Sequence, residues 1–286
     1  MESEMSSKSR PLPPALVSCF DTPVAERGPG VFTWVSRGAN FAVAVSKVEV
    51  GAVLERVANP DEYVLLTNDA AVRVTAGTDT AEVAADSLAI VPPGASRIEV
   101  TAPGLVVRVF SSEAADILEL ASNAADYANG APLVAPLESW PEPKGGYRLR
   151  VYRLAEHVTA GSFLRVFQTR NLMVNPLVPW VEPRDVHKLS PHSHTDFEQG
   201  SLALESEWVH HLRTPWTPDM DDWRDDVHAE IGSPSLTVIP PTIVHTSRSV
   251  GRMGRLVDVF APPRLDFARQ GVVRNADVYS MPETAA

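Results

Sequence analysis

The stretch Pro191-His192-Ser193-His194-Thr195-Asp196-Phe197-Glu198-Gln199, read together with Pro240-Pro241-Thr242-Ile243-Val244-His245, decides the fold. Along a strand, residues two apart project from one face, so His192 and His194 can reach one ion. Glu198 follows at a distance that allows a tight turn and a return to the same face. Gln199 offers the next spacing, but a carboxylate is the better ligand. His245 stands just beyond the Pro240-Pro241 turn. Three imidazoles and one carboxylate need a barrel interior in which to converge. Such a nitrogen and oxygen set suits Fe(II), Mn(II), Ni(II), Cu(II) or Zn(II). Four protein ligands on one divalent ion leave one or two positions for substrate or dioxygen.

The surrounding sequence reads as β-structure. Short Val, Ile and Leu-rich runs recur at 41–45, 63–67, 71–75, 87–91, 97–101 and 105–110, and again at 147–154, 162–167, 200–204, 235–239 and 255–260. Turn signals such as Asn68-Asp69, Gly77-Thr78 and Pro92-Pro93-Gly94 separate them, which argues for a sandwich or barrel. One helix is expected, capped by Ser112 and running to about Asn123, with Ile117, Leu118 and Ala121 on one face. After it, prolines at 132, 136, 141 and 143 mark a connection. The halves repeat one theme: Glu62 then Ile90-Val91-Pro92-Pro93, and Glu198 then Val238-Ile239-Pro240-Pro241. Duplication of a β-unit explains this.

Composition bounds the function. The 286 residues carry 25 Lys and Arg against 36 Asp and Glu, a formal charge of −11, which disfavours a nucleic-acid partner. With a 44% hydrophobic share the chain can bury a real core. No apolar run is long enough to span a membrane. The polar N-terminus has no secretory signal, and Cys19 is the only cysteine, so a cytoplasmic location is expected. All eight histidines lie at 157 or beyond, which places any histidine-based metal site in the second half.

These residues resemble the motifs of the cupin superfamily. The first motif, His-x-His followed by three or four residues and Glu, falls on His192, His194 and Glu198. The second, Pro-x-Gly-x-x-His, falls on Pro240 to His245, with Thr242 in place of glycine. Glu205-Ser206 stands where the first motif ends in glycine. The resemblance implies that His192, His194, Glu198 and His245 hold the metal. In the first half Glu62 takes the glutamate position, no histidine precedes it, and Arg97 aligns with His245; an arginine stays protonated and cannot be a ligand. The expected fold is therefore all-β: two cupin-type barrels (jelly-roll, double-stranded β-helix) joined by a short helix and a Pro-rich linker. The bounds are an N-terminal arm at 1–30, partly disordered, a metal-free barrel at 31–130, a linker at 131–146 and a metal-bearing barrel at 147–286. A homodimer is expected on the same resemblance.

By the same resemblance, the expected activity is that of a mononuclear non-haem Fe(II) dioxygenase, with dioxygen as co-substrate and a small oxygenated or aromatic molecule chelating the ion. A metal-dependent isomerase or lyase working through an enolate is the alternative, and a non-catalytic small-molecule binder the third. His228 and His211 are candidates for acid/base or pocket roles. Arg213 and Trp216, in the long insertion between the motifs, and Arg165, on an earlier strand, are candidates for substrate binding.

Overall fold

The structure is a computed structural model that describes residues 12–283. The first part of the chain forms β1 (Ala15–Ser18), β2 (Glu26–Gly28), β3 (Val31–Arg37), β4 (Phe41–Val48), β5 (Val53–Asn59), β6 (Tyr63–Thr67), β7 (Ala71–Ala76), β8 (Asp79–Val83), β9 (Ser87–Val91), β10 (Gly94–Ala102), β11 (Gly104–Ser111) and helix α1 (Ala115–Glu119). The second part forms β12 (Arg150–Arg153), β13 (Phe167–Gln168), β14 (Met173–Pro176), β15 (Gln199–Glu205), β16 (Trp208–Arg213), β17 (Val227–Ile231), β18 (Ser235–Ile239), β19 (Val244–Ser249), β20 (Arg255–Phe260) and helix α2 (Leu265–Arg269). Each half builds one large and one small sheet. The large sheets are ordered β12-β9-β6-β11-β4-β3-β2 and β1-β18-β15-β20-β14-β13; the small ones are β5-β10-β7-β8 and β17-β16-β19.

Side-chain alternation tells which sheets are covered on both faces. In β7, Val72, Val74 and Ala76 are buried while Arg73 and Thr75 face solvent, as expected for a sheet wet on one side. In β6 every residue is buried. Tyr63 and Leu65 enter the core of the first half, whereas Val64 and Leu66 join a second cluster with Phe41, Leu202, Leu236 and Val257. That second cluster packs the two large sheets face to face, which is why their strands read as continuous apolar runs.

Strands cross between the halves. β1, expected within a loose arm, pairs with β18, Ala15 opposite Val238. β12, expected in the second barrel, extends the first half's sheet through Arg150 opposite Ile90. Residues 1–11 of the expected arm lie outside the described residues. Helix α1 is shorter than expected: its N-cap is Ala114, and Ser112 makes no cap. The run at 162–167 contributes only Phe167 to a strand. The Pro-rich connection is tied to the second half by Ala135 N–H to Asp196 O and Trp140 N–H to Arg170 O. Among the described residues no helix is long and apolar enough to cross a membrane.

Candidate metal centre

His192 and His194 lie before β15, and His245 is the second residue of β19. His192 and His245 exchange backbone bonds in both directions, at 3.1 and 2.8 Å, and Thr242 N–H donates to His194 O at 2.6 Å. These bonds bring the three rings together, with centroids 4.4–5.1 Å apart. One nitrogen from each ring lies within 4.8 Å of the others. Ligand atoms about 2.1 Å from a common ion stand roughly 3–4 Å apart, so the triad fits one ion with small adjustment. The tautomers suit this role. His192 Nδ1–H donates to Ser190 O and His245 Nδ1–H to Ile243 O, both at 2.9 Å, which leaves each Nε2 bare toward the centre. Burial lowers the His194 pKa to about 3 and that of His245 to about 4, so both are neutral at ordinary pH, the form in which an imidazole can bind a metal.

The polar side chain that meets the histidines is that of Gln199, not Glu198. Gln199 Oε1 lies 2.9 Å from His194 Nε2 and 3.3 Å from His245 Nε2. Glu198, just before β15, points elsewhere. Its Oε2 accepts from Ala39 N–H at 2.5 Å and its Oε1 from Tyr127 O–H at 3.0 Å, both in the first half. A Cβ at position 38 would meet that Oε2 at 2.7 Å, so Gly38 leaves room for the carboxylate. Glu198, expected as a ligand, is instead bonded to the first half, while its neighbour Gln199, the first residue of β15, faces the histidines. Burial holds the Glu198 pKa above the usual carboxylate range, against the pull of its two donors.

Glu62 repeats this arrangement in mirror role. It accepts from Tyr279 O–H at 2.7 Å and Arg170 N–H at 3.3 Å, both in the second half. Each half therefore extends a glutamate into the other's turn and tyrosine. The match continues at Asn123 and Asn275, four residues before each tyrosine. Asn123 bonds both backbone polar groups of Arg37, and Asn275 those of Gln168.

The two barrel interiors differ. Tyr63 pairs with Phe110 and Val91 as Gln199 pairs with Phe260 and Ile239. Where Gln199 meets His245, Tyr63 O–H meets Ser96 Oγ at 2.9 Å. A register shift between Gly94 and Ser96 turns Arg97 outward, to Glu55 and Glu99, so Ser96 rather than Arg97 takes the inward place expected to match His245. The first interior is filled mainly by Val, Leu, Ile and Ala, with Tyr63, Phe110 and the buried Arg108 among them. The second carries a polar layer one step below Gln199: Asn175 opposite Asp258, Asp258 opposite Ser201, and Ser201 opposite Thr237. His210 faces the same space, because Trp208 and Leu212 on either side of it pack on Ala203 and Ile239. His210 Nδ1 pairs with Ser247 Oγ at 2.7 Å, while its buried Nε2 and the Thr237 hydroxyl lack partners. Neither residue was singled out from the sequence, because inward polarity on a strand covered on both faces has no alternation to reveal it.

Of the other candidates, His211 and His228 meet at 2.8 Å, Nδ1 to Nδ1. With Arg213, which is bonded to Asp226, they line a cavity of about 150 Å³ that reaches His245. Trp216 is exposed and stacked on Trp223, away from the triad's own cavity. Arg165 is turned elsewhere: its donors go to Pro176 O and Leu177 O at 2.8 Å, so the expected substrate role is replaced by support of a backbone turn. A larger cavity of about 710 Å³ reaches His194, with Trp140, Phe197 and Arg264 in its wall.

Fold and triad together define a class: an all-β chain of the cupin jelly-roll type with a histidine cluster that could hold a metal. Solved structures agree on the fold. One, from work on substrate binding and a reaction-specificity switch in oxalate decarboxylase, shows a TM-score of 0.61 at 13% identity, covering 94% of this chain and 81% of that one. The Lactobacillus farciminis oxalate decarboxylase formate complex gives 0.60 at 11%, over 89% and 90%. The Bacillus subtilis oxalate decarboxylase at pH 4.6 gives 0.59 at 13%, over 86% and 75%. No protein-family model and no curated protein matches the chain.

Proposed function

We propose that the chain is a metal-dependent lyase or isomerase acting on a small, carboxylate-bearing molecule. Its ion would be held by His192, His194, His245 and Gln199. The observation that carries this reading is the neutral fourth donor, Gln199 Oε1, 2.9 Å from His194 Nε2. Three imidazoles and an amide add no negative charge. A divalent ion there keeps its full charge, which favours an anionic substrate and disfavours oxidation of the ion. The bound metal would supply Lewis-acid stabilisation of a developing enolate or carbanion. The fold is shared with proteins named as oxalate decarboxylases, and decarboxylation is a lyase reaction.

The chain's own groups would position the substrate and handle its proton. Arg213, paired with Asp226, lines the cavity beside His245, where a substrate carboxylate would share its guanidinium with Asp226. Arg248 Nε–H donates to His211 Nε2 at 3.3 Å, so neutral His211 carries its proton on Nδ1 and donates it to His228 Nδ1. Neutral His228 then carries its proton on Nε2, where it would donate a hydrogen bond to a substrate oxygen. His192 is exposed, so the ion is reached from that side. The same opening would admit dioxygen, which keeps an Fe(II) dioxygenase as the second reading.

Turnover of oxalate and of small enolisable carboxylates, measured with each divalent ion in turn, tests this. Metal-dependent turnover with no net dioxygen uptake supports the lyase or isomerase. Dioxygen consumption stoichiometric with substrate contradicts it and supports the dioxygenase.

A further inference from the structure

We propose that Asp258 supplies, one residue removed, the negative charge that the metal ligands lack, and that it acts through the amide of Gln199. The inference rests on the metal reading above. Gln199 Nε2 donates to Ser201 Oγ at 2.9 Å and to Asp258 Oδ1 at 3.1 Å. Both amide hydrogens are thereby used on the side away from the triad. The amide cannot flip without setting its oxygen against the Asp258 carboxyl group, so Oε1 is fixed toward His194 and His245.

Every partner of Asp258 is a donor: Gln199 Nε2, Ser201 Oγ at 3.4 Å on the same oxygen, and Asn175 Nδ2 at 3.4 Å on the other. Among the described residues no acceptor competes, so both carboxyl oxygens are placed to accept. A carboxylate behind an amide draws the amide hydrogens and leaves Oε1 more negative, and hence a stronger donor to a cation. Strand register makes the placement rigid. Asp258 lies opposite Ser201, and Gln199 lies two residues along the same strand and on the same face. The first half shows what happens without a metal to serve. At the position matching Gln199 stands Tyr63, opposite Phe110, and two residues before Phe110, where the second half has Asp258, stands Arg108. A cation occupies the place of the anion, and no histidine is near it.

Zn(II) titration against a chromophoric chelator, on the full chain freed of metal, reads the proposal directly. Four proteins are compared: wild type, D258N, Q199E and Q199E/D258N. D258N should bind Zn(II) about 10–100-fold more weakly. Q199E alone should also bind more weakly, because its second oxygen would replace Nε2–H against Asp258 and set two carboxylates in contact. The double variant should recover most of the wild-type affinity, since the charge then sits on the ligand itself; a purely structural role for Asp258 would not produce that recovery. Wild-type affinity in D258N overturns the proposal, as does Q199E binding at least as tightly as wild type. The latter result decides the matter even if D258N fails to fold. A wild type that binds no Zn(II) overturns the metal reading together with this inference.

Discussion

Glu198 and Gln199 are neighbours in sequence and face opposite ways, one into the other half and one toward the triad. Exchanging them therefore has unequal consequences. Gln199→Leu removes a donor and should weaken divalent-ion binding about tenfold or more by the same titration. Glu198→Gln should keep the ion and lower thermal stability by about 1–3 kcal/mol, because a buried amide cannot serve Ala39 N–H and Tyr127 O–H as a carboxylate does. Equal loss of metal in both variants would show that the face assignment is wrong. The grouping of the three histidines was legible from the motifs, whereas the approach of Gln199 to them was not. Motif spacing admits three or four intervening residues, and the usual arbiter, apolar in and polar out, fails in a strand buried on both faces. One signal was present in the repeat. Glu62 occupies the same place in a half that has no histidine, so a glutamate kept in both halves serves something other than a metal.

At the scale of elements, two turns hold a backbone conformation that their residues resist. Thr242 has φ +72° and Ser206 φ +75°, each at a place where the resembling motifs carry glycine. The missing glycines therefore left the turns intact, at the cost of left-handed strain in an L-residue, about 1 kcal/mol or more apiece. Thr242→Gly should raise the unfolding free energy by about 1 kcal/mol in urea denaturation, with the Thr242 N–H to His194 O bond retained. A decrease would mean that the threonine side chain stabilises the turn in a way its backbone does not show. The Pro-Pro steps, the strand runs and the positions of these turns were readable from sequence. The short span of α1 was not, because its buried Ile117 and Leu118 fit one turn as well as three.

Across the whole molecule, the halves are joined by a shared apolar cluster, two exchanged strands and two reciprocal glutamates. The recurrence of the Pro-Pro turns was legible in the sequence. The exchange of β1 and β12 was not, since pairing partners far apart in the chain leave no local trace. Glu62 gives this junction a pH dependence. Burial raises its pKa to about 7, against the opposing bonds from Tyr279 and Arg170. The folded state then binds the proton more tightly than the unfolded one. The stability tied to it is full below about pH 4.5 and is lost as pH rises toward 7. Glu62→Gln should remove this slope, so the wild type should lose on the order of 2–3 kcal/mol relative to the variant across that window. Parallel stability curves for the two proteins would exclude a protonated Glu62 at the junction.

The central claim is that one divalent ion is held in the second half by three imidazoles and an amide. X-ray absorption of the reconstituted protein tests it most directly, with metal content measured beside it. The account predicts one ion per chain, three imidazole scatterers and one further oxygen from the protein, and loss of the ion in His192→Ala and His245→Ala but not in Arg97→Ala. Full metal content in either histidine variant, or an ion surrounded by carboxylates alone, would contradict it.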